Sequence, residues 1–328
     1  FNDTATPEIY TNTESSAASD VYKRQGKPIP MKYVDEKALT EKAILGLFKR
    51  HLYRLAKGKS GLFTTEVPVA HPEDRQLLKH DLQQCELLGT TRDDKQIYLY
   101  DGQLNDSLMR EIGRLRELSF RRVDEGSGRR RDLDEYDHWY RHIVLWDNEN
   151  LEVVGAYRLG IGRDILGRRG VQGFYLHTLF KLNKSFEPII AEGIELGRSF
   201  VQPRYWGSRG LDYLWQGIGA YLAKHPEIRY LYGPVSIPQS FPRPAVDMMV
   251  RFYRQWYIEE EKAGRVTARY PYHVSADTAV DDIKGESLAE DAGSLKYHLS
   301  IYGVSVPTLY KQYLDLCDQA GTHFLGFN

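Results

Sequence analysis

The sequence has little cysteine, no long apolar run and almost no net charge. Its two cysteines, Cys85 and Cys317, cannot build a disulfide framework in 328 residues and lie in no Cys/His cluster. We therefore expect a reducing compartment, the cytoplasm, and no metal site. A mean hydropathy of −0.52, without an apolar stretch near the ~18 residues that a spanning helix needs, predicts a soluble protein. A formal net charge of −1 gives no support to nucleic-acid binding through bulk positive charge.

The first 25 residues read as a translated sequencing adapter. Residues 15–25 (SSAASDVYKRQ) are the translation of one adapter, and residues 2–11 match the companion adapter except at Pro7. We expect residues 1–25 to be a non-native, adapter-derived segment. Without its four acidic and two basic residues, the formal net charge changes from −1 to +1.

Residues 39–57 (LTEKAILGLFKRHLYRLAK) carry apolar side chains at helical spacing, with lysine and arginine on the flanks. The spacing predicts a basic amphipathic helix. Two explanations are open for it. The helix packs on its own domain or on a neighbouring one, or it lies on an anionic membrane surface as a peripheral contact.

The rest of the chain alternates between strand and helix patterns. Strands are predicted over 85–90, 96–100, 142–146, 153–159, 174–180, 194–201 and 229–237. Helices are predicted over 104–121, 211–224, 244–257 and 306–317, with a short one after Pro188. Asp101-Gly102 is typical of a hairpin turn, and the polar residues 259–300 indicate a flexible excursion. From Ile194 onward the order strand, helix, strand predicts a β-α-β unit with a parallel pair.

The segment from Arg204 to Gly210 (RYWGSRG) joins the strand over 194–201 to the following helix. A loop with Gly207 and Gly210 at a helix start offers free backbone amides and the positive end of a helix dipole to a phosphate group. Such loops also occur as plain connections. Whether this loop binds a phosphate group therefore has to be judged from the motifs around it.

Four further motifs, in order, resemble the long-chain acyl-transferring branch of the GNAT superfamily, which includes ornithine-lipid synthases, N-acyl amino acid synthases and hemolysin-labelled proteins. They are Arg-x-x-x-Phe (Arg116, Phe120), Asp-x-x-Asp (Asp134, Asp137), Gly-x-x-Arg-Leu (Gly155, Arg158, Leu159) and Glu-Leu-x-Arg (Glu195, Leu196, Arg198). The loop resembles the superfamily's pyrophosphate loop, R/Q-x-x-G-x-G/A, with one residue inserted between the glycines. The resemblance covers residues 59–328.

This resemblance implies an α/β GNAT-type fold. It is a mixed, mostly antiparallel twisted sheet with helices on both faces, opened where two parallel strands part beside Glu195 and Pro234. It also implies an N-acyltransferase that moves a long-chain fatty acyl group from acyl carrier protein or coenzyme A to the α-amine of an amino acid by direct attack. No permanently bound cofactor is expected.

The implied site has one catalytic residue, Glu195, as general base. The alternative for Glu195 is an ion pair with Arg198 or Arg158. The residues implied to bind the acceptor are Arg116, Phe120, Asp134, Asp137, Arg158 and Arg198. Those implied to bind the donor are Phe200, Val201, Arg204, Gly207, Ser208, Arg209 and Gly210. Because Glu195 and Arg198 would face opposite ways in a regular strand, their shared motif predicts a β-bulge at Gly197.

Two arginine groups admit a structural as well as a functional interpretation. Arg116 and Arg158 pin the charged loop through Asp134 and Asp137, or they hold the amino-acid carboxylate in a bidentate fork. A second group is a solvated face or a docking surface for acidic acyl carrier protein. Its members are Arg121, Arg122, Arg129, Arg130 and Arg131.

Two further expectations concern the ends of the domain. Residues 26–58 are interpreted as the remnant of a preceding acyltransferase domain, and residues 321–328 as a point at which relatives continue. The spacing His142-x4-Asp147 matches the signature of such a preceding domain, but two residues five apart in a strand face opposite ways. The rival functions are a short-chain acetyl-coenzyme A N-acetyltransferase and a non-catalytic lipid- or carrier-binding module.

Overall fold

The structure is a computed structural model that describes residues 40–63, 65–102, 106–259, 262, 264–275 and 287–328, with 12–13, 24–25 and 29. Most of the segment 1–25 and the start of the segment 26–58 lie outside the described residues. The exceptions in the first segment are β1 (Asn12–Thr13) and β2 (Arg24–Gln25), which pair with each other antiparallel. The proposed domain boundary at residue 58 stays a prediction.

The centre of the fold is a six-stranded sheet. Along the chain its strands are β3 (Glu86–Thr90), β4 (Gln96–Tyr100), β5 (Arg141–Asp147), β6 (Glu152–Ile161), β8 (Gly193–Val201) and β9 (Tyr230–Tyr232). They lie side by side in this order. Neighbours are antiparallel except β8 and β9, which are parallel. The predicted mixed, mostly antiparallel sheet is confirmed.

Two shorter strands, β7 (Phe180–Leu182) and β10 (Val266–Ala268), form an antiparallel pair outside this sheet. The helices flank the sheet or precede and follow it. They are α1 (Glu41–Ala56), α2 (Arg75–Gln83), α3 (Ser107–Arg121), α4 (Gly162–Arg169), α5 (Leu176–Leu179), α6 (Glu187–Ala191), α7 (Gly210–Lys224), α8 (Arg243–Tyr257), α9 (Leu288–Ile301) and α10 (Thr308–Leu314).

Two helices cover opposite faces of the sheet because side chains alternate along each strand. On β5, Ile143 and Leu145 join the apolar cluster that contains Leu214 of α7. Val144 and Trp146, which point the other way, pack in the cluster of α3. This three-layer arrangement is the predicted one. Among the described residues, none of the helices combines the length and apolarity that crossing a membrane requires.

Several local predictions are wrong. The hairpin between β3 and β4 turns at Thr91–Lys95, where the Thr91 amide donates to the Lys95 carbonyl at 2.8 Å. Asp101-Gly102 does not form a hairpin turn, because the element that follows β4 along the chain is the helix α3. The predicted strand over 229–237 ends at Tyr232, two residues before Pro234, which has no amide proton for a ladder. The excursion over 259–300 contains β10 and α9, and α9 buries Leu295 and Leu299 against α8.

The predicted strand over 174–180 is also wrong. Residues Leu176–Leu179 form the short helix α5, and the strand begins only at Phe180. The amides of Tyr175 and Leu176 donate to the side chains of Tyr140 and Glu195 instead of to a neighbouring strand. The segment between β6 and β7 thus folds over Glu195.

Candidate active site

Glu195 lies near the middle of β8, and only 1% of its surface is exposed. Its Oε2 accepts a hydrogen bond of 2.6 Å from the Tyr140 hydroxyl, and its Oε1 accepts one of 2.7 Å from the Leu176 amide. Within the described residues, neither Arg158 nor Arg198 lies at salt-bridge distance from Glu195. The expected alternative, an ion pair, is therefore not formed.

Burial raises the pKa of Glu195 from its ordinary value of 4.5 to about 7, against the opposing effect of its two hydrogen bonds and of the Arg158 charge. A carboxyl group that ionises near neutral pH can both take up and release a proton under physiological conditions. This is the property that a general base needs.

The sheet opens beside Glu195. The parallel ladder of β8 and β9 pairs Gly193 with Tyr230 and ends where Glu195 pairs with Tyr232. From Leu196 onward, this edge of β8 has no strand beside it in the described part of the chain. The Tyr232 hydroxyl is buried there without a hydrogen-bond partner among the described residues. The predicted opening between two parallel strands is confirmed.

A β-bulge on β8 reverses the direction of the side chains after Glu195. Arg158 of β6 pairs with Gly197 and Ala156 pairs with Phe200, so two residues of β8 oppose one residue of β6. The predicted bulge is confirmed, but its left-handed residue is Arg198, with φ of +50°, and not Gly197. A non-glycine residue in this region of φ and ψ is strained, and such strain concentrates at functional sites.

Asp137 is the centre of a buried cluster of charges. Its Oδ1 accepts from Arg116 at 2.8 Å, from Arg158 at 3.1 Å and from His142 at 3.3 Å. Burial lowers the pKa of His142 to about 4, so the imidazole is neutral at pH 7 and its Nε2–H donates. These charges hold the pKa of Asp137 well below its usual range.

Asp134 caps the short 3-10 helix over Glu135–His138 and accepts from Arg158 at 2.6 Å. Arg116 and Arg158, each 1% exposed, are thus tied to Asp134 and Asp137. Of the two interpretations of this group, these contacts favour the structural one, in which the arginines hold the charged loop against the sheet.

Arg198 differs from these two arginines. Its side chain is 26% exposed, and it forms ion pairs of 3.5 Å with both Asp132 and Asp134. Its guanidinium carbon lies 5.2 Å from the centre of the Tyr175 ring. The Tyr175 amide donates to the Tyr140 hydroxyl that binds Glu195. Arg198 is therefore the accessible arginine next to Glu195.

The predicted loop leads into α7 as expected. Gly207 has φ of +78°, and the Gly210 amide donates to the Ser208 hydroxyl at 3.2 Å. Among the described residues, the amides of Leu211 and Asp212 donate to no acceptor, so they are available to an anion. A Cβ atom at Gly210 would lie 3.1 Å from the Val201 side chain, which leaves little room for a larger residue.

The remaining predicted site residues have structural contacts. Arg204 pairs with Glu152 at 2.6 Å and Arg209 with Asp212 at 3.5 Å. Phe200 is buried in the core on the α3 side of the sheet, and Phe120 packs against the same cluster. The side chain of Phe200 is therefore not available to a donor.

The five arginines of the charged patch do not form one free surface. Arg121 pairs with Glu117 at 2.6 Å, and Arg131 pairs with Glu73 at 2.7 Å. The other three, Arg122, Arg129 and Arg130, are exposed. Arg129 also lies 3.8 Å from Asp132, and docking of acyl carrier protein on this surface stays a prediction.

His142 and Asp147 do not meet. Asp147 accepts from the amides of Glu149 and Asn150 in the turn after β5, whereas His142 binds Asp137. The expectation that their spacing is a chance match agrees with these contacts. The described residues contain no group of three or more His, Cys, Asp or Glu placed to hold a metal ion.

The sequence did not point to Tyr140 or Tyr175. One signal for Tyr140 was available, because glycine inside a strand often marks a close approach. Gly160 pairs with Glu195 across the sheet, and a Cβ atom at this position would overlap the Tyr140 ring. Gly160 thus leaves the space in which Tyr140 reaches Glu195.

Comparisons with known proteins agree with this geometry. Residues 115–216 match the acetyltransferase (GNAT) domain. The chain is 31% identical over 265 residues to a glycine N(alpha)-acyltransferase of Bacteroides thetaiotaomicron, an alignment that covers 76% of this chain and 77% of that protein. The chain belongs to the GNAT-type N-acyltransferase family. The predicted family, fold and enzyme class are confirmed.

Two further N-acyltransferases are similar in sequence to this chain. A glycine N(alpha)-acyltransferase of Phocaeicola vulgatus is 30% identical over 260 residues, 75% of this chain and 79% of that protein. An L-ornithine N(alpha)-acyltransferase of Rhizobium meliloti is 33% identical over 132 residues, 38% of this chain and 43% of that protein. No solved structure matches the chain significantly. The GNAT match spans the Asp137 cluster, Glu195 and the start of α7.

Proposed function

We propose that the chain transfers a long-chain acyl group from a thioester to the α-amine of an amino acid, with Glu195 as the general base. The observation that carries the proposal is a buried carboxyl group, with a pKa of about 7, at the point where β8 and β9 part. At this point a thioester can lie along the free edge of β8 while the acceptor approaches Glu195.

The reaction needs a neutral amine. Glu195 takes a proton from the acceptor's ammonium group, directly or through a water molecule, and the nitrogen then attacks the thioester carbonyl carbon. A carbon–nitrogen bond forms, the carbon–sulfur bond breaks, and the thiol leaves with a proton. Backbone amides along the free edge of β8 stabilise the oxyanion that develops on the carbonyl oxygen.

For the acceptor we propose glycine or another α-amino acid, on the strength of the relatives named glycine and L-ornithine N(alpha)-acyltransferases. Such a substrate carries a carboxylate beside its amine. Arg198 has an accessible guanidinium next to the Tyr175–Tyr140–Glu195 chain of contacts, and its planar fork suits a carboxylate. Arg116 and Arg158 support this site indirectly, because they hold Asp137 and its neighbours in place.

For the donor we propose acyl-coenzyme A or acyl carrier protein. The free amides of Leu211 and Asp212 at the start of α7 would bind the phosphate of the pantetheine arm. The exposed Arg122, Arg129 and Arg130 would attract the acidic surface of a carrier protein. Two donors with the same acyl chain distinguish these contributions, because coenzyme A does not use the arginine surface.

The test measures thiol release from palmitoyl-coenzyme A with and without glycine, and identifies the N-acylglycine product by mass spectrometry. We expect amino-acid-dependent release. Glu195→Gln should slow it by about 10²- to 10⁴-fold at neutral pH, the usual effect of losing a general base. The exposed turn residue Glu149 provides a matched control, and Glu149→Gln should leave the rate unchanged.

Other outcomes separate the rival functions. Turnover of acetyl-coenzyme A without turnover of the palmitoyl thioester would contradict the long-chain donor and favour a short-chain N-acetyltransferase. Binding of the palmitoyl thioester without any turnover would favour a non-catalytic module. A wild-type rate for Glu195→Gln would overturn the assignment of Glu195. Comparing the rates of thiol release with ornithine and with glycine identifies the preferred acceptor.

A further inference from the structure

One outward stripe of α1 combines exposed basic and apolar side chains. Its members within the helix follow one another at helical spacing on a single face and are Lys42, Leu45, Lys49 and Tyr53, and the exposed Lys57, the residue that ends the helix, extends the stripe. Leu45 is 68% exposed and Tyr53 is 59% exposed. These are two large apolar side chains that the fold leaves uncovered on one stripe of the helix.

The covered face of α1 is a different one. Ile44, Leu47 and Phe48 pack against the buried Ile29 and Phe63. His51 is fully buried on the same side, and its Nδ1 accepts from the amides of Leu62 and Phe63 at 2.8 Å and 3.2 Å. The packed side accounts for the amphipathic pattern of the sequence, and it leaves the outward stripe unexplained.

The exposed charges of α1 are mostly positive on this outer surface, with Glu41, one turn before Leu45, as the exception. Lys42, Lys49 and Lys57 lie on the stripe and Arg50 lies beside it, all exposed. Glu41, in the first turn, is the acidic residue of the helix. An exposed surface with this balance is complementary to a layer of negative charge.

We propose that this stripe of α1 lies flat on an anionic lipid bilayer. Lysine is a flexible point charge that suits the diffuse charge of lipid headgroups, whereas arginine forks suit fixed carboxylates on a protein. Tyrosine is a common side chain at the level of the headgroups, and Leu45 and Tyr53 alternate with the lysines along the stripe. A helix in this position lies in the interface without crossing it.

The proposal is independent of the acyl-transfer chemistry and is tested by binding alone. The full chain is sedimented with vesicles of phosphatidylcholine and with vesicles in which part of this lipid is replaced by phosphatidylglycerol. We expect binding to the anionic vesicles that weakens as salt is added. Lys42→Gln, Lys49→Gln and Lys57→Gln together should weaken it by about 100-fold, since each basic residue near such a surface contributes about fivefold.

Matched controls separate the stripe from net charge and from misfolding. Arg163→Gln, Arg168→Gln and Lys184→Gln change the charge of exposed residues outside α1 by the same amount and should leave binding unchanged. Leu45→Ser with Tyr53→Ser should weaken binding at high salt more than at low salt, because the apolar contribution is not screened. Far-UV circular dichroism should show the same helix content in every variant.

Three results would overturn the proposal. One is no binding to anionic vesicles at low salt, and another is equal binding by the lysine variant and its control. The third is capture of an acidic protein through α1 in the absence of any vesicle binding, which would make the stripe a protein-docking surface.

Discussion

Replacing Glu195 by glutamine should change how the stability of the enzyme depends on pH. Folding raises the pKa of this carboxyl group from 4.5 to about 7 through burial. Between these two values the folded protein keeps a proton that the unfolded chain has lost. The free energy of unfolding therefore falls as the pH rises through this window, and the loss is complete above pH 7. Glutamine does not titrate, so the variant lacks this loss.

The pKa change corresponds to about 3 kcal/mol of unfolding free energy. The substitution also removes one hydrogen bond, and this loss destabilises the variant. The glutamine oxygen can still accept from the Leu176 amide, but its NH₂ group faces the Tyr140 hydroxyl and removes that hydroxyl's acceptor, at a cost of about 1 kcal/mol. The variant should have nearly the same stability as the wild type at pH 5 and be more stable, by about 2 kcal/mol, at pH 8.

Urea denaturation between pH 5 and pH 8, followed by tryptophan fluorescence, measures this growing difference in stability. His142 has the opposite trend, because its pKa is lowered to about 4 by burial and its contribution to stability decreases as the pH falls. Since this contribution is the same in both proteins, it disappears from the difference. Glu149→Gln, in an exposed turn, should follow the wild type. A difference between wild type and Glu195→Gln that is constant with pH would refute the reasoning.

Three further predictions concern the site. Tyr140→Phe removes a hydrogen bond that favours the ionised form of Glu195, so the acidic limb of the pH profile of kcat/KM should shift to higher pH; a profile superimposable on the wild type would contradict this. Arg198→Met should raise the KM for glycine at least tenfold and leave turnover of glycinamide unchanged, and equal effects on both would exclude a contact with the carboxylate. Reversing the charge of the exposed arginines Arg122, Arg129 and Arg130 should raise the KM for an acyl-carrier-protein thioester at low salt. The KM for a coenzyme A thioester should not change.

Much of the fold could be predicted because its main elements have strong local patterns. The helices α3 and α7 have apolar faces at helical spacing, and β5 and β6 are flanked by clear turn residues. The β-bulge followed from the motif alone, since Glu195 and Arg198 could act on one side of a strand only if the alternation was broken between them. The left-handed conformation of Arg198 could not be predicted, because arginine has no preference for it.

The failures have a common physical origin in contacts between residues distant in sequence. The segment 174–180 is rich in aromatic residues, which favour strands. Two of its amides, however, donate to Tyr140, the residue before β5, and to Glu195 of β8. α9 was missed because its buried side includes the charged Asp291, whereas its apolar Tyr297 and Ile301 lie on the exposed side. Arg121 of α3 pairs with Glu66, and Arg131 of the charged loop pairs with Glu73, and both glutamates lie outside the two patterns.

The proton affinity of Glu195 is set by residues that the motif around it does not contain. Burial in the sheet favours the neutral acid, while the Tyr140 hydroxyl and the Leu176 amide favour the carboxylate. Tyr140 reaches Glu195 only because Gly160, on the neighbouring strand, has no side chain in its way. A methyl group at Gly160 would displace Tyr140, remove one of the two hydrogen bonds and raise the pKa of Glu195 further. The pH at which Glu195 ionises is therefore set in part from β6 and from the residue before β5, and a change at either place would shift it without altering Glu195 itself.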